Sequence, residues 1–450
     1  MIVKNIFLIF ILLIIAGSGI TSAQKVWSLE KCIQYAVANN LDVRREALQA
    51  EKNKEYLNQS KRNLLPAVSL NGDGSNSFGK SLDYDTYEYT NTSQLYSSFR
   101  LTSGIDIFRG FTKQNRISYN KMNYLAGIED EKKQKYDIAF SVMEAFFNAV
   151  YFHGLMEIME EQKELSRLNV EQARKQVTLG LKANSDLLEM ESLLAKEELN
   201  VIQTENSYKK ALLDLKQTMN TAPDEELEID FTSSESGLEF AKATTPASIY
   251  AEALDFYPSI KAMELRKQAA QKSFAIAKGN LWPRLSLSAG YGSYYSKTKG
   301  KNNTESFSNQ FKNNASQSIG LSLNIPVFQQ LGYRSEVKQS RLDYLIAQND
   351  AEKISQQLLN EITLNYQNME SYNAEYNQLV KQVDFAQVAY EVSEKKMEQG
   401  LISVIELYSS KNILAQAKSD LLRTKLQYTI TKKTVDLYLG NPIPGVSLNN

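Results

Sequence analysis

The chain has 450 residues, 42% of them hydrophobic, with 51 basic residues against 52 acidic ones and a formal net charge of −1. That balance removes the electrostatic footprint of a nucleic-acid binder, and no DNA or RNA partner is expected. A single cysteine excludes an intrachain disulfide, and a single histidine beside it leaves no donor set for a zinc site, so neither metal nor cofactor is expected.

Residues 1–23 have the layout of a secretory signal: Lys4, an apolar run from Ile6 to Ala16, then small residues up to a cut after Ala23. The mature chain is therefore exported. Beyond Ala23 no window supplies the ~20 apolar residues of a membrane helix, so any membrane crossing must be made by strands. Ser28 caps a first helix, although Lys31 stands where a capping box needs Glu, and Cys32, Ile33, Ala36 and Val37 form its apolar face. Cys32 lies several residues past the cut and reads as a buried helix residue, not as a lipid anchor. A second helix runs from about Asp42 to Arg62, with Val43, Ala47, Ala50 and Leu57 inward.

At Leu64-Leu65-Pro66 the period changes from helical to two. Val68, Leu70, Gly72, Gly74 and Phe78 alternate with Ser69, Asn71, Asp73, Ser75 and Ser77. A polar link from Lys80 to Ser93, bearing Tyr84, Tyr87 and Tyr89, leads to a second alternating stretch. There Leu95, Phe99, Leu101, Ile105 and Ile107 oppose Tyr96, Ser98, Arg100, Thr102 and Asp106. An antiparallel hairpin near 66–108 with a long loop is expected, closed by Phe108-Arg-Gly110.

Helical periodicity then runs unbroken by proline from about Thr112 to Leu179, which is roughly 100 Å of helix and more than a globule can use. His153 sits in its apolar stretch as a packed or surface helix residue. Gly180 marks a turn at the tip of a helical hairpin. On the return helix Leu187, Leu194, Val201, Tyr208 and Leu215 recur every seventh position as a coiled-coil seam. Met219 to Pro223 ends the pattern, and the acidic, Ser/Thr-rich stretch 224–245 reads as a surface linker.

A second copy opens at Pro246. Pro283 lies 217 residues beyond Pro66, and the same spacing carries Ala36 onto Ala253 and Leu48 onto Leu265. In the third strand Leu285, Leu287, Ala289, Tyr291 and Tyr295 oppose Ser286, Ser288, Gly290, Gly292 and Tyr294. A Lys/Asn/Ser-rich loop spans Lys297 to Asn314. In the fourth, Ile319, Leu321, Leu323, Ile325 and Val327 oppose Ser318, Gly320, Ser322 and Asn324, giving a hairpin near 283–328. A second long helix from Gly332 to about Glu398 ends at Gly400. A seam of Leu407, Leu414, Leu421, Tyr428 and Val435 follows. Gly400 lies 220 residues beyond Gly180, and that register also carries Lys175 onto Lys395, Leu181 onto Leu401 and Tyr208 onto Tyr428. The chain is a tandem duplication: repeat 1 over 24–220, a linker over 221–245, repeat 2 over 246–440 and a tail over 441–450.

Each copy thus supplies one strand hairpin and one long helical hairpin. Strands of about ten residues with one apolar and one polar face are what a tilted crossing of a bilayer needs. Four strands cannot close a barrel, and open edges are not tolerated in lipid, so closure must come from other copies of the chain. The polar-face residues Ser69, Asn71, Asp73, Arg100, Asp106, Ser286, Ser288, Ser322 and Asn324 are the expected lumen-facing positions.

The chain resembles the TolC-type outer-membrane efflux channels over essentially its whole mature length. The resemblance rests on Trp27-Ser-Leu-Glu-Lys-Cys-Ile-Gln-Tyr-Ala-Val-Ala-Asn-Asn40, Leu65-Pro66, Ile107-Phe108-Arg-Gly110, and Gly400 with Val404-Ile-Glu406-Leu407, in an order that occurs twice. It implies a mainly helical fold with a membrane β-barrel portion: a homotrimer with one twelve-stranded barrel in outer-membrane lipid and a periplasmic helical tube. It also implies a periplasmic adaptor and an inner-membrane pump at the helical tips, and a role as exit duct for efflux or type I secretion. An acidic ring at the entrance falls on Glu406, with Asp186 its equivalent in the first repeat. Ser409 stands where a second acid occurs in the family. The polar contacts that restrain the closed family channel fall on Met397 and Ile402, which cannot make them.

Two other classes compete. An exported coiled-coil structural protein without channel activity accounts for the seams but not the strands. An exported hydrolase would need His153 in a triad, yet no strand-turn-helix nucleophile signature lies near it. Cargo is not legible from generic polar lumen residues.

Overall fold

In the computed structural model the described residues are 26–83, 87–224, 226–231, 245–299 and 305–441. The signal peptide expected over 1–23, Tyr84, most of the linker and the tail beyond Asn441 lie outside them. In chain order the elements are α1 (Leu29–Asn39), α2 (Leu41–Arg62), β1 (Ala67–Asp83), β2 (Glu88–Arg109), α3 (Thr112–Thr178) and α4 (Asn184–Met219). They continue with α5 (Pro246–Phe256), α6 (Pro258–Gly279), β3 (Arg284–Thr298), α7 (Phe307–Asn313), β4 (Ser316–Asn324), α8 (Gly332–Glu398) and α9 (Val404–Tyr438). The described residues form two compact units: those up to Arg44, those within Lys132–Phe256 and those from Leu358 onward in one, and those within Arg45–Glu131 and Tyr257–Gln357 in the other.

The second unit holds an antiparallel sheet of order β1-β2-β3-β4, so the two hairpins of the duplication pair through β2 and β3. Directly paired residues share a face, and the register therefore extends the alternation of each strand across the sheet. Leu70 pairs with Leu101 and Leu101 with Tyr291, while Ile105 pairs with Leu287 and Leu287 with Leu321. These apolar residues stand open: Leu70 is 72% exposed, Ile319 84% and Leu321 66%. The outer edges of β1 and β4 have no strand partner among the described residues.

Three expectations change here. The link from Lys80 to Ser93 is mostly strand, because β1 and β2 stay paired up to Asp83 and Glu88. The loop from Lys297 to Asn314 contains α7, capped by the Ser306 hydroxyl accepting from the Asn309 amide. And β4 stops at Asn324 before Pro326, so Ile325 and Val327 lie beyond it.

Close backbone approach fixes one joint of this unit. Gly110, at φ +55° after β2, meets Gly279 at the end of α6; a Cβ on Gly279 would lie 2.5 Å from the Gly110 carbonyl oxygen, and one on Gly110 would overlap the Gly279 carbonyl. Side chains at either position have no room.

The first unit is helical. Its α1 has the partial cap expected, with Ser28 Oγ accepting from the Lys31 amide, and Cys32 is fully buried. Burial pushes the Cys32 thiol up to about 12. The linker is not wholly superficial: Leu227 and Ile229 are buried, and Trp27 exchanges backbone hydrogen bonds with Glu228 and Asp230 at 2.8 and 2.9 Å. Ile229 forms an isolated parallel bridge with Trp27, while Glu226 and Glu228 alternate with the buried pair and are exposed. In α3 an 18-residue window reaches mean hydropathy 1.2, long and apolar enough by composition to cross a membrane, contrary to the expectation that none exists. Its Ala139, Val142, Met143, Phe146 and Phe147 are buried in protein packing. His153 is half-buried, stacked on Phe231 with ring centroids 3.8 Å apart.

The seams are wider than a single heptad row. In α9, Leu407, Leu414, Tyr428 and Val435 are buried as expected, but so are Val404 and Lys411 on a second row and Thr424, Thr431 and Tyr438 on a third. Ser419 and Thr431 donate to the carbonyls of Ala415 and Gln427, which lets their hydroxyls enter the interior satisfied.

Gly110→Ala is expected to lower stability more than Gly180→Ala. Both force a positive φ, worth about 1–3 kcal/mol, but only Gly110 adds a backbone overlap, since nothing lies within 4 Å of a Cβ at Gly180; denaturant midpoints of the two variants measure the difference. In the folded protein Cys32 should stay unreactive to iodoacetamide at pH 8.5. Because its folded pKa is raised, the neutral thiol contributes stability below the unfolded pKa, and that contribution is lost as pH climbs toward 12.

Candidate functional site

The two tips are built identically. Gly180 and Gly400 both adopt φ +70°. Gly180 N donates to Val177 O and Leu181 N to Gln176 O, and 220 residues on Gly400 N donates to Met397 O and Leu401 N to Lys396 O, all at 2.9–3.0 Å. This is the Schellman closure, in which a left-handed glycine lets the last helical carbonyls be satisfied.

The return helices start differently. In α9, Ser403 Oγ accepts from the Glu406 amide and the Glu406 carboxylate accepts from the Ser403 amide, a complete capping box. The sequence Ser403-Val-Ile-Glu406 carried that signal, and reading Glu406 only as a ring acid passed over it. In α4, Ala183 offers no side-chain cap, and Asp186 occupies the first turn with Ser185 Oγ 3.4 Å from its Oδ1. Both acids therefore lie at a helix N-terminus, where the macrodipole favours negative charge. Glu406 is exposed; Asp186 is half-buried.

Met397 and Ile402, which cannot reproduce the family's polar contacts, enter apolar packing instead. Both join a cluster of Ala386, Tyr390, Leu407, Leu414 and Ala417 with Leu165. Met397 also touches a second cluster in which Val404 meets Val170, Ala173, Leu187 and Met190. The start of α9 is thereby seated against α3 and α4.

One turn row further along α9 the contact becomes ionic. Lys411, 2% exposed, uses all three of its donors: to Ser166 Oγ at 2.6 Å, Glu197 Oε1 at 2.9 Å and Gln162 O at 3.1 Å. Glu197 is equally buried, and its second oxygen accepts from Asn200. Burial holds the lysine below its ordinary range, against the opposing pull of Glu197. Seven residues on, Lys418 pairs with Glu161 at 2.8 Å. Positions 404, 411 and 418 thus form one row of α9 joining it to α3 and α4, a row the sequence reading missed because lone lysines on a helix usually mark a solvated face.

On the sheet, the register places all nine expected lumen positions on one face. Asn71 pairs with Arg100, Asp106 with Ser286, Ser286 with Ser322, and Arg284 with Asn324, while Ser69 Oγ lies 2.7 Å from Thr102 Oγ1. Asp73 faces Ser98, and Ser288 lies between Gly104 and Gly320. Asp106 is not free in that face: it sits at a β-bulge, paired with Arg284 at 2.8 Å and Lys113 at 3.3 Å, with Arg109 at 3.7 Å.

A duplicated pair of helical hairpins with an open-edged, two-faced sheet defines the class: one protomer of a strand-and-helix membrane channel. The family model described as "Outer membrane efflux protein" matches residues 32–221 and 249–441, and the chain belongs to that family. It is similar to outer membrane protein TolC of Escherichia coli, 23% identical over 455 residues that cover 98% of this chain and 88% of TolC. Similarity extends to alkaline protease secretion protein AprF of Pseudomonas aeruginosa, 22% identical with 81% and 71% covered. Among solved structures, CusC superposes with a TM-score of 0.79 at 16% identity, covering 92% of both chains. The open state of the MtrE outer membrane channel of Neisseria gonorrhoeae gives 0.73 at 16%, with 92% and 88% covered. The protein is an outer-membrane channel, an exit duct of efflux or secretion.

Lys411→Met alone should cost about 3–5 kcal/mol, because Glu197 is left buried and unpaired, whereas the double change Lys411→Met with Glu197→Leu should recover most of it. Urea unfolding of the two variants beside the unchanged protein tests this. Ser403→Ala should cost about 1 kcal/mol through the lost cap, with no comparable effect for Ala183→Ser, which adds a cap.

Proposed function

We propose that three copies of this chain form the exit duct of a tripartite efflux or type I secretion system, each giving four strands to a twelve-stranded barrel. A periplasmic adaptor and an inner-membrane pump engage it. The observation that carries the trimer is the sheet: its polar residues share one face, its apolar residues stand exposed on the other, and its two edge strands lack strand partners among the described residues. In lipid that arrangement is stable only when neighbouring copies close the barrel. Ser69, Asn71, Asp73, Arg100, Asp106, Ser286, Ser288, Ser322 and Asn324 then face the lumen. The family is one of channels; catalysis forms no part of the proposal, and a hydrolase screen at several pH values would test that.

The entrance is read from the tips. Glu406, with Asp186 in the first repeat, supplies negative charge at the narrow end, where like charges repel anions and attract cations. The apolar seat of Met397, Ile402 and Val404, with the Lys411–Glu197 pair, holds α9 against the first hairpin in place of the family's polar contacts.

In detergent the protein should run as a trimer, and in a planar bilayer it should give a small, cation-preferring conductance. A water-soluble monomer without conductance would overturn the reading. Glu406→Gln should lower cation preference while keeping the helix start, since glutamine also completes a capping box; unchanged selectivity would remove Glu406 from the entrance.

A further inference from the structure

The apolar face of the sheet does not simply end at the loops. Helix α7 folds back onto it, over β2 and β3: Phe311 lies edge-on to Phe99 with centroids 5.8 Å apart, and Phe307 lies 5.1 Å from Tyr295. Polar bonds fasten it there. Gln310, buried, accepts from the Ser296 amide at 3.1 Å, Asn314 donates to Tyr294 O at 2.9 Å, and Ser293 Oγ donates to Phe311 O.

The side of α7 turned away from the sheet is Ser308, Asn309 and Lys312, all exposed. A polar helix side cannot lie against hydrocarbon, so α7 marks where hydrocarbon ends. At the base of the sheet, Trp282 and Phe111 stand 60% and 59% exposed, as an interfacial aromatic girdle would.

Charge is sorted at the same level. Beyond the positions that α7 covers, the strand positions of the apolar face include Lys80 and Lys297, with Lys312 on α7; Glu305 is the acid nearest Lys297 and Lys312 in the chain, Asp83 follows Lys80 by three residues, and Glu88 falls by register on the polar face with Arg100. We propose that α7 with Lys80, Lys297 and Lys312 is a docking surface for the anionic phosphate headgroups of outer-leaflet lipid. It rests on the exit-duct reading and is continuous with the lipid-facing side of the barrel. The central strands β2 and β3 carry α7 and Lys297 clear of the edges at which copies join, whereas Lys80 lies on the edge strand β1.

The test uses full-length trimer in vesicles of phosphatidylcholine with and without phosphatidylglycerol. A nitroxide on Ser308→Cys, with buried Cys32 unlabelled, should collide with both oxygen and a water-soluble nickel complex at rates intermediate between lipid and water. Retention of phosphatidylglycerol on the trimer in native mass spectrometry should fall about fivefold for each of Lys80→Gln, Lys297→Gln and Lys312→Gln. A label with full aqueous access, or retention unchanged in the triple variant, overturns the proposal. Failure of the wild-type trimer to insert in vesicles would instead sink the exit-duct reading, and the triple variant's conductance confirms that its barrel is intact.

Discussion

Unpaired backbone groups in hydrocarbon are the constraint on which this protein depends. Each exposed N–H or C=O at a sheet edge costs several kcal/mol in lipid, and β1 and β4 present two such edges on a sheet too narrow to curl shut. The alternation of Ser, Asn and Gly against Leu, Ile and Tyr makes that sheet two-faced, so it can neither bury itself in a soluble core nor remain single. Assembly follows from strand chemistry before any helix is considered.

The helices answer a second demand, for long surfaces that hold together yet allow rearrangement. Small and hydroxylated residues of α9 bury several of its sides, and the hydroxyls of Ser419 and Thr431 are satisfied within the helix. At the tips, apolar contacts of Met397 and Ile402 give way along α9 to the Lys411–Glu197 pair, which contributes specificity of position more than net stability. An ion pair with every lysine donor used permits one register of α9 against α3 and α4 and penalises others.

Much of this was legible in the sequence, and the failures have physical causes. Heptad spacing and the paired glycines located both long helices and both Schellman turns, because a 3.5-residue period and a left-handed glycine leave direct marks. Strand alternation placed the polar face, since register transmits it from Val68 to Asn324. The link from Lys80 to Ser93 was misjudged because its Ser, Thr, Asn and Tyr composition suggests loop, while ladder hydrogen bonds to a partner decide strand. Lys411 gave no local sign of burial; its partners Ser166 and Glu197 are distant in sequence. Leu227 and Ile229 did alternate with acids, and Ser403 did precede Glu406 by three, so those two features were readable and overshadowed by charge. α7 has seven residues, too few for periodicity to declare it.

The most direct test of the account is a cysteine cross-linking scan between the two sheet edges, with Ser318→Cys on β4 combined in turn with Ser69→Cys, Asn71→Cys and Asp73→Cys on β1. Within one chain these edges are separated by β2 and β3, so a disulfide can form only between copies. The account predicts a covalent trimer on denaturing gels for at least one pairing, with membranes as the source. Absence of interchain product at every register in a folded, membrane-inserted protein would contradict closure of the barrel by neighbouring copies.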